Sequence, residues 1–380
     1  MPKRDVVVVA ASAGGIEALR EVLGGLPADF AGSLLVVVHM PPNGGAALQS
    51  ILSRWTTVPV SLAVNGGVLR PGNVFVCVGG HHLLLASGHM HLTDGPSENG
   101  HRPSADPLFR SAAANYGPRV VGVILSGTLS DGTAGLLAVR REGGVAVVQD
   151  PSDALYDGMP NSALELVGAD HVAKAADIGG LLGKLASQDI DEDDSDADRE
   201  GDAPDREGDA DRDTAAAGAP RAGAPHGEPD ARSAIDREVS IVEGNVNLDD
   251  DEHPGAPSPW PCPQCNGVLW EIEDGPVLRF RCRVGHAWTA ENLLHEQADG
   301  VEGALWMALR ALEDRAALSR KLADRADQTG RRYSSSRYRG ELGGMSRSIE
   351  ILRDLLVEGF GRGRSTPVGK RRAADGGADE

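Results

Sequence analysis

Four consecutive valines, Val6–Val9, run into the small-residue turn Ala10-Ala11-Ser12-Ala13-Gly14-Gly15, and Ile16–Leu23 follows with helical spacing. No other stretch limits the fold as much. Branched apolar residues in an unbroken row describe a strand covered on both faces, and such strands belong to parallel sheets sandwiched by helices. The pattern recurs. Leu34–Val38, Val74–Val78, Val120–Leu125 and Val145–Val148 read as further strands, and Ala46–Arg54, Leu108–Tyr116, Ala134–Glu142 and Ile178–Leu185 as helices. The expectation is an α/β domain with a mostly parallel sheet and helices on both faces, a Rossmann-like layout. Residues 59–95 depart from it, reading as hairpin or mixed-sheet material with Gly-rich turns.

The chain has 380 residues and a formal charge of −19, which argues against nucleic acid as the main partner because phosphate binding needs a basic face. Most of that charge lies between about 189 and 252. Residues 188–257 are rich in Asp, Glu, Arg, Ala, Gly and Pro and poor in aromatic or branched residues, the composition of a disordered linker. The expected organisation is therefore a catalytic domain over 1–187, that linker over 188–257, a Cys/His unit over 258–289, a helical region over 290–362 and a disordered tail over 363–380. Val301, Leu305, Ala308, Leu312 and Leu322 keep a three/four spacing, as do Met345, Ile349, Leu352, Leu356 and Phe360. Two apolar helix faces predict a helical hairpin or self-association with another chain. No stretch nears the roughly 20 apolar residues of a membrane helix, and no signal peptide is evident. A cytoplasmic protein without membrane insertion is expected.

Three of the four cysteines cluster, which is the arithmetic of a metal site rather than of a disulfide framework. Cys262-Pro263-Gln264-Cys265 and Cys282-Arg283-Val284-Gly285-His286 supply a C-x2-C and a C-x3-H pair. Cys262, Cys265, Cys282 and His286 predict a closed, structural Zn²⁺ site of Cys3His type. Val268–Trp270 and Leu278–Phe280 would be the strands of a zinc ribbon. The alternative is three reduced cysteines in a small core.

Ser12 sits where the first strand ends in a sharp turn, so backbone N–H groups at the helix start would face an oxyanion formed there. A dinucleotide site is the competing reading of a Gly-rich turn, but the G-x-G-x-x-G glycines are missing and His39 stands where an acid would meet the ribose. A serine nucleophile needs a base, and the base needs an orienting acid. His39 follows the second strand, and Asp131 follows the strand Val120–Leu125. Parallel neighbours would bring all three to one sheet edge. Each also has an ordinary explanation: Ser12 as a helix cap, His39 as a loop histidine, Asp131 as a cap or turn acid.

Several motifs in order across the first 185 or so residues resemble the catalytic domain of the chemotaxis protein-glutamate methylesterases, the CheB family. Ala10-Ala11-Ser12-Ala13-Gly14-Gly15 stands for that family's G-A-S-T-G-G turn, and Val38-His39-Met40-Pro41 for Q-H-M-P. His101-Arg102-Pro103-Ser104-Ala105-Asp106 matches H-R-P-S-x-D, Ser126–Gly132 matches T-G-M-G-x-D-G, and Gly158-Met159-Pro160 matches G-M-P. The resemblance implies Ser12, His39 and Asp131 as catalytic residues and no cofactor for catalysis. The implied reaction is hydrolysis of glutamate γ-methyl esters on methylated chemoreceptors, with deamidation of certain glutamines as a second activity. The runner-up readings are a protein-glutamine deamidase and a catalytically weak signalling adaptor working through the zinc and helix module.

Departures from the pattern bear on turnover. Ala13 replaces a threonine, and Thr128-Leu129 replaces a Met-Gly whose backbone would complete the oxyanion hole. A non-Gly residue at 129 is expected to close off positive φ. The first strand begins within ten residues of the start of the sequence, so the receiver domain that precedes it in typical members is expected to be absent. His82 matches a family histidine; His81, His82, His89 and His91 together could suggest a metal, but a hairpin with no acid partner favours a structural role. Cys77, between two valines, reads as core.

Overall fold

A computed structural model describes residues 2–190, 231–244 and 255–358. They fall into two compact units, one up to Leu293 and one from Leu294 onward.

In the first unit the strands are β1 (Val6–Ala11), β2 (Ser33–Val38), β3 (Val60–Leu62), β4 (Gly67–Val68), β5 (Asn73–Val76), β6 (His82–Ala86), β7 (His89–Thr93), β8 (Val120–Ile124), β9 (Val145–Gln149) and β10 (His171–Ala173). The helices between and after them are α1 (Gly15–Gly24), α2 (Ala46–Leu52), α3 (Ala105–Tyr116), α4 (Thr133–Arg141), α5 (Gly158–Leu166) and α6 (Ala175–Ser187). A seven-stranded sheet in the order β10-β9-β8-β1-β2-β5-β3 is parallel throughout, as the uniformly apolar strands require. Val7 and Val9 pack with α1, α2 and α6, whereas Val6, Val8 and Ala10 pack with α3, α4 and α5. Both faces of β1 are dry, which is why no polar residue interrupts it. The antiparallel set β4-β7-β6 accounts for the expected hairpin region.

Several short elements had no clear sequence signal. β3 and β10 are sheet-edge strands of three residues each, too short for a period to show. α5 begins at the Gly158-Met159-Pro160 motif, whose glycine and proline read as a turn.

The expected linker contains structure. Residues 191–230 and 245–254 lie outside the described residues, but Ala231–Val242 forms helix α7. Ile235, Val239 and Val242 recur at helical spacing; Ile235 is buried and Val239 packs against the same core. The acidic, Pro-rich surroundings hid that short apolar stripe.

The Cys/His unit is a four-stranded antiparallel sheet in the order β11 (Ala256–Pro261), β12 (Val268–Asp274), β13 (Val277–Cys282) and β14 (Ala287–Thr289). Leu269, Phe280 and Trp288 form its small core with Cys262 and Cys282. Helix α8 (Ala290–Gln328) follows, then α9 (Arg332–Glu358). In the second unit Leu309 and Ala316, with Leu312, pack against Met345 and Ile349 as a hairpin, whereas Val301, Ala308 and Leu322 of the expected α8 face are exposed. Phe360 and the expected tail over 363–380 lie outside the described residues. No helix among the described residues is long and apolar enough to cross a membrane.

Candidate active site

β8, β1 and β2 are neighbours, and the strand order reverses direction around β1, so their carboxyl ends open the crevice where α/β folds place ligands. Ala11 is paired in register with Val38, which sets Ser12 and His39 side by side as the next residues. Ser12 N–H bonds to the Ser126 carbonyl at 3.0 Å, tying the serine to the loop after β8. Gly14 takes φ 70° at the cap of α1, and a Cβ there would lie 2.7 Å from Ser126 Oγ. Only glycine fits that corner.

Ser12, His39 and Asp131 form one hydrogen-bonded line. Ser12 Oγ lies 3.0 Å from His39 Nδ1, and His39 Nε2 lies 2.8 Å from Asp131 Oδ2. With Asp131 ionised, Nε2–H donates to the carboxylate and the Nδ1 lone pair faces the serine hydroxyl. In that tautomer His39 Nδ1 is placed to accept the Ser12 hydroxyl hydrogen. Asp131 is 1% exposed, and its carboxylate also accepts from Asn99 Nδ2 at 2.9 Å, Ser104 Oγ at 2.6 Å and Ala105 N–H at 2.7 Å. Burial acts to raise this carboxyl, but the His39, Ser104 and Ala105 donors outweigh it and hold it below the ordinary carboxylate range.

A second layer was not visible as function in the sequence, although its residues lie in or beside the H-R-P-S-x-D motif. His101 stacks on His39 with ring centroids 3.8 Å apart, and its Nδ1–H donates to the Asn99 carbonyl at 2.7 Å. Burial first, and then the proximity of His39, lower the His101 pKa. Asp106 is pushed up to about 7 by burial and by Asp131.

The four histidines at 81, 82, 89 and 91 do not gather into a metal site among the described residues. His81 does have an acid partner, Asp94, at 2.7 Å, contrary to expectation; the β6–β7 register pairs His82 with Thr93 and so sets His81 opposite Asp94. Cys77 is buried, and burial pushes its thiol up to about 12.

His82 is fully buried, donates from Nε2 to the Pro96 carbonyl at 3.0 Å, and accepts Ser104 N–H at 3.4 Å. It thereby seats the serine that bonds Asp131. Burial pushes its pKa down to about 4, so the ring stays neutral while an unfolded chain would protonate near 6.5. The stability this supplies is present above pH 6.5 and is lost as pH falls to about 4, roughly 3 kcal/mol at 1.36 kcal/mol per pH unit. Asp106, with its raised pKa, acts with the opposite sign in that window. The difference between wild type and His82→Gln isolates the histidine, and urea melts at pH 7 and pH 4.5 are expected to show the gap between the two proteins narrowing on acidification. A constant gap would contradict a neutral His82.

The loop after β8 completes the crevice. Leu129 adopts φ 61°, so the backbone keeps the left-handed turn that the substitution for glycine was expected to deny. The fold tolerates the strain there. Gly127 lies against the serine: a Cβ would meet Ser12 Cβ at 3.0 Å and Met159 Sδ at 2.0 Å. Gly127→Ala is expected to displace Ser12 and lower kcat about 100-fold, since misplacement by an ångström costs that much. Thermal melts would separate this from unfolding, because overpacking alone costs about 1–3 kcal/mol. Unaltered turnover would show that the loop yields instead.

The CheB methylesterase family profile matches residues 7–182. Those residues are a CheB methylesterase domain. A protein-glutamate methylesterase/protein-glutamine glutaminase of Burkholderia pseudomallei (strain 1710b) is 40% identical over 187 residues, 48% of this chain and 51% of that protein. One from Anaeromyxobacter dehalogenans (strain 2CP-C) is 43% identical over 171 residues, 44% of this chain and 47% of that protein. The chain thus spans about half the length of these curated relatives. The crystal structure of the Thermotoga maritima CheB methylesterase catalytic domain is 32% identical, covering 49% of this chain and 99% of that one, with a TM-score of 0.47.

Beyond the methylesterase domain, Cys262, Cys265, Cys282 and His286 place their ligand atoms within 4.8 Å of one another. Cys265 Sγ and Cys282 Sγ are 3.6 Å apart, and His286 Nδ1 is 3.7 Å from Cys262 Sγ and 3.5 Å from Cys282 Sγ. Tetrahedral bonds of about 2.3 Å to sulfur and 2.0 Å to nitrogen require edges of about 3.5–3.8 Å. These three edges have that length, and the four side chains together could hold a metal ion.

Proposed function

We propose that this chain is a protein-glutamate methylesterase that acts through Ser12, His39 and Asp131 on methylated chemoreceptors or similar signalling proteins. The observation that carries the reading is the unbroken line from the Ser12 hydroxyl through both ring nitrogens of His39 to the buried Asp131 carboxylate. Ser12 Oγ attacks the ester carbonyl carbon while His39 Nδ1 takes the hydroxyl proton. The tetrahedral intermediate collapses, the C–O bond to methoxide breaks, and Nδ1 returns the proton so that methanol leaves. Water then gives its proton to His39 and attacks the acyl-serine, releasing glutamate and restoring Ser12. Asp131 keeps its charge throughout and balances the imidazolium.

The same sequence with an amide gives ammonia, and the relatives are named for both activities. An adaptor without catalysis would have no need of this aligned line. Reaction at the serine needs no cofactor. The Cys3His cluster has soft thiolates and a neutral imidazole suited to Zn²⁺, and with four protein ligands it would be structural. Zinc held by Cys262, Cys265, Cys282 and His286 would fold the ribbon. We place the protein in the cytoplasm and assign self-association to the C-terminal helices, where Trp306, Met307, Ile351 and Val357 remain exposed.

The test is methanol release from a helical peptide carrying a γ-methyl glutamate, with ammonia followed from the matching glutamine peptide. Methanol is expected from the wild-type chain and not from Ser12→Ala. Equal rates from both would end the esterase reading.

A further inference from the structure

Ser97–His101 makes an Asn-Gly hairpin turn, with Asn99 at φ 53°, Gly100 at φ 77°, and Glu98 bridged to His101. Both faces of this turn are in use. Asn99 Nδ2 donates to Asp131 Oδ1 at 2.9 Å and to Asp106 Oδ2 at 3.0 Å, so both of its amide hydrogens are committed beneath the triad. Its Oδ1 accepts Thr289 N–H at 2.8 Å from the last strand of the ribbon. Asn99 N–H donates to the Ala287 carbonyl at 2.8 Å, and Ala287 N–H donates to the Ser97 carbonyl at 3.3 Å. The ribbon therefore pairs with the turn as an added strand and fixes which way the Asn99 amide points.

The metal-ligand loops of the ribbon press on the same place. Gln264, inside the C-x2-C pair, accepts from Ser97 Oγ at 2.5 Å. Gly285, inside the C-x3-H pair, is so close to Pro96 that a Cβ would lie 2.7 Å from its Cγ. Ser130, next to Asp131, has its hydroxyl 2.8 Å from Thr289 Oγ1 and donates to Asn292 Oδ1 at 2.9 Å. Both neighbours of the orienting acid are thus anchored on β14 and the start of α8.

We propose that the ribbon is a working wall of the esterase: folded on its metal, it clamps Asn99, which acts as a positioning residue for Asp131, so turnover depends on metal loading of a site that is not part of the Ser12–His39–Asp131 line. The proposal rests on the esterase and zinc readings above. A ribbon folded on its metal presents Thr289 N–H and the Ala287 carbonyl at fixed points. Without the metal, a unit of some thirty residues has little core to hold that edge. The turn then loses both backbone partners, the Asn99 amide is free to rotate, and Asp131 loses a donor that sets its angle toward His39.

The experiment uses the full chain, as isolated, after removal of metal with a chelator, and after return of Zn²⁺. Competent sites are counted by fluorophosphonate labelling of the serine, and kcat and KM are measured per labelled site on the γ-methyl-glutamyl peptide. Hydrogen exchange of peptides spanning 97–106 is followed beside peptides of β1 and β2. Metal removal is expected to lower kcat about 10- to 100-fold with KM little changed. It should also speed exchange over 97–106 while β1 and β2 stay protected, and Zn²⁺ should restore both. Asn99→Gly, which keeps the left-handed backbone, tests the link without disturbing the metal; the same loss of kcat is expected at full zinc content.

Unchanged kcat and unchanged exchange over 97–106 on metal removal would overturn the proposal, as would an Asn99→Gly enzyme with wild-type kcat per labelled site. A wild-type chain that releases no methanol would overturn the esterase reading beneath it. A chain isolated without metal would overturn the zinc reading. Each of these removes the proposal through its own readout.

Discussion

Ser12→Ala is expected to lower methanol release by about a million-fold, with Asp131→Asn about 10⁴-fold below wild type and both variants folded. The two losses differ because the residues act at different points. Without Ser12 Oγ no acyl-enzyme forms, and what remains is whatever the turn and the bound geometry do for direct attack by water. In Asp131→Asn the new side chain would still fill the space, but its amide can meet His39 Nε2 with a donor where the line needs an acceptor. The ring would then carry its proton on Nδ1, the nitrogen that lies 3.0 Å from Ser12 Oγ, and could not take another. Burst kinetics with an activated ester would show the distinction: no burst for Ser12→Ala, a slow one for Asp131→Asn. An Asp131→Asn enzyme within tenfold of wild type would exclude this carboxylate as the group that sets the tautomer.

Glu98→Ala is expected to destabilise the protein by about 3–5 kcal/mol, the cost of leaving buried cations without a partner. Glu98 is 1% exposed, and its two oxygens divide between two elements. One meets Arg110 of α3 at 2.5 Å, and the other meets Arg281 of β13 at 3.0 Å. Glu238 of α7 is 9% exposed at its side chain and pairs with Arg279 at 2.5 Å and with Arg281 at 3.1 Å, with Arg110 at 3.2 Å. Burial acts to raise the Glu98 carboxyl, but Arg110 and Arg281 outweigh it and hold it below its ordinary value. Removing Glu98 leaves Arg110 and Arg281 to share Glu238 with Arg279 among buried side chains. Urea denaturation at pH 7 would read the loss as a lower midpoint. A shift under about 1 kcal/mol would mean that water enters and the charges are not truly desolvated. Arg141 and Asp274 add a further ion pair between α4 and β12, at the rim of the same contact.

The helix α7 shows how sequence and structure diverge here. By composition Glu238 is one more acid in an acidic segment. What distinguishes it is its place on a helix face with Ile235, Val239 and Val242, opposite three arginines that are remote in sequence. Composition averages over a window and misses a helix of twelve residues set in polar chain. Asn99 has no local sequence signal for a different reason. An Asn-Gly pair signals a turn on any surface, and the two acids and the backbone N–H that its amide meets come from positions 106, 131 and 289.

By itself the sequence determined the parallel α/β sheet, because valine runs with no polar interruption have no stable home except between two layers of helices. The three residues of the candidate triad were also legible, since each follows a strand whose neighbours share its direction, and the four candidate metal ligands were legible from local spacing. The tertiary structure alone decided that the ribbon lies against the esterase domain and shares Asn99 and Ser130 with the triad's surroundings. Local pattern can report what a segment buries along its own period. It cannot report which buried charge, or which backbone N–H far along the chain, will satisfy it.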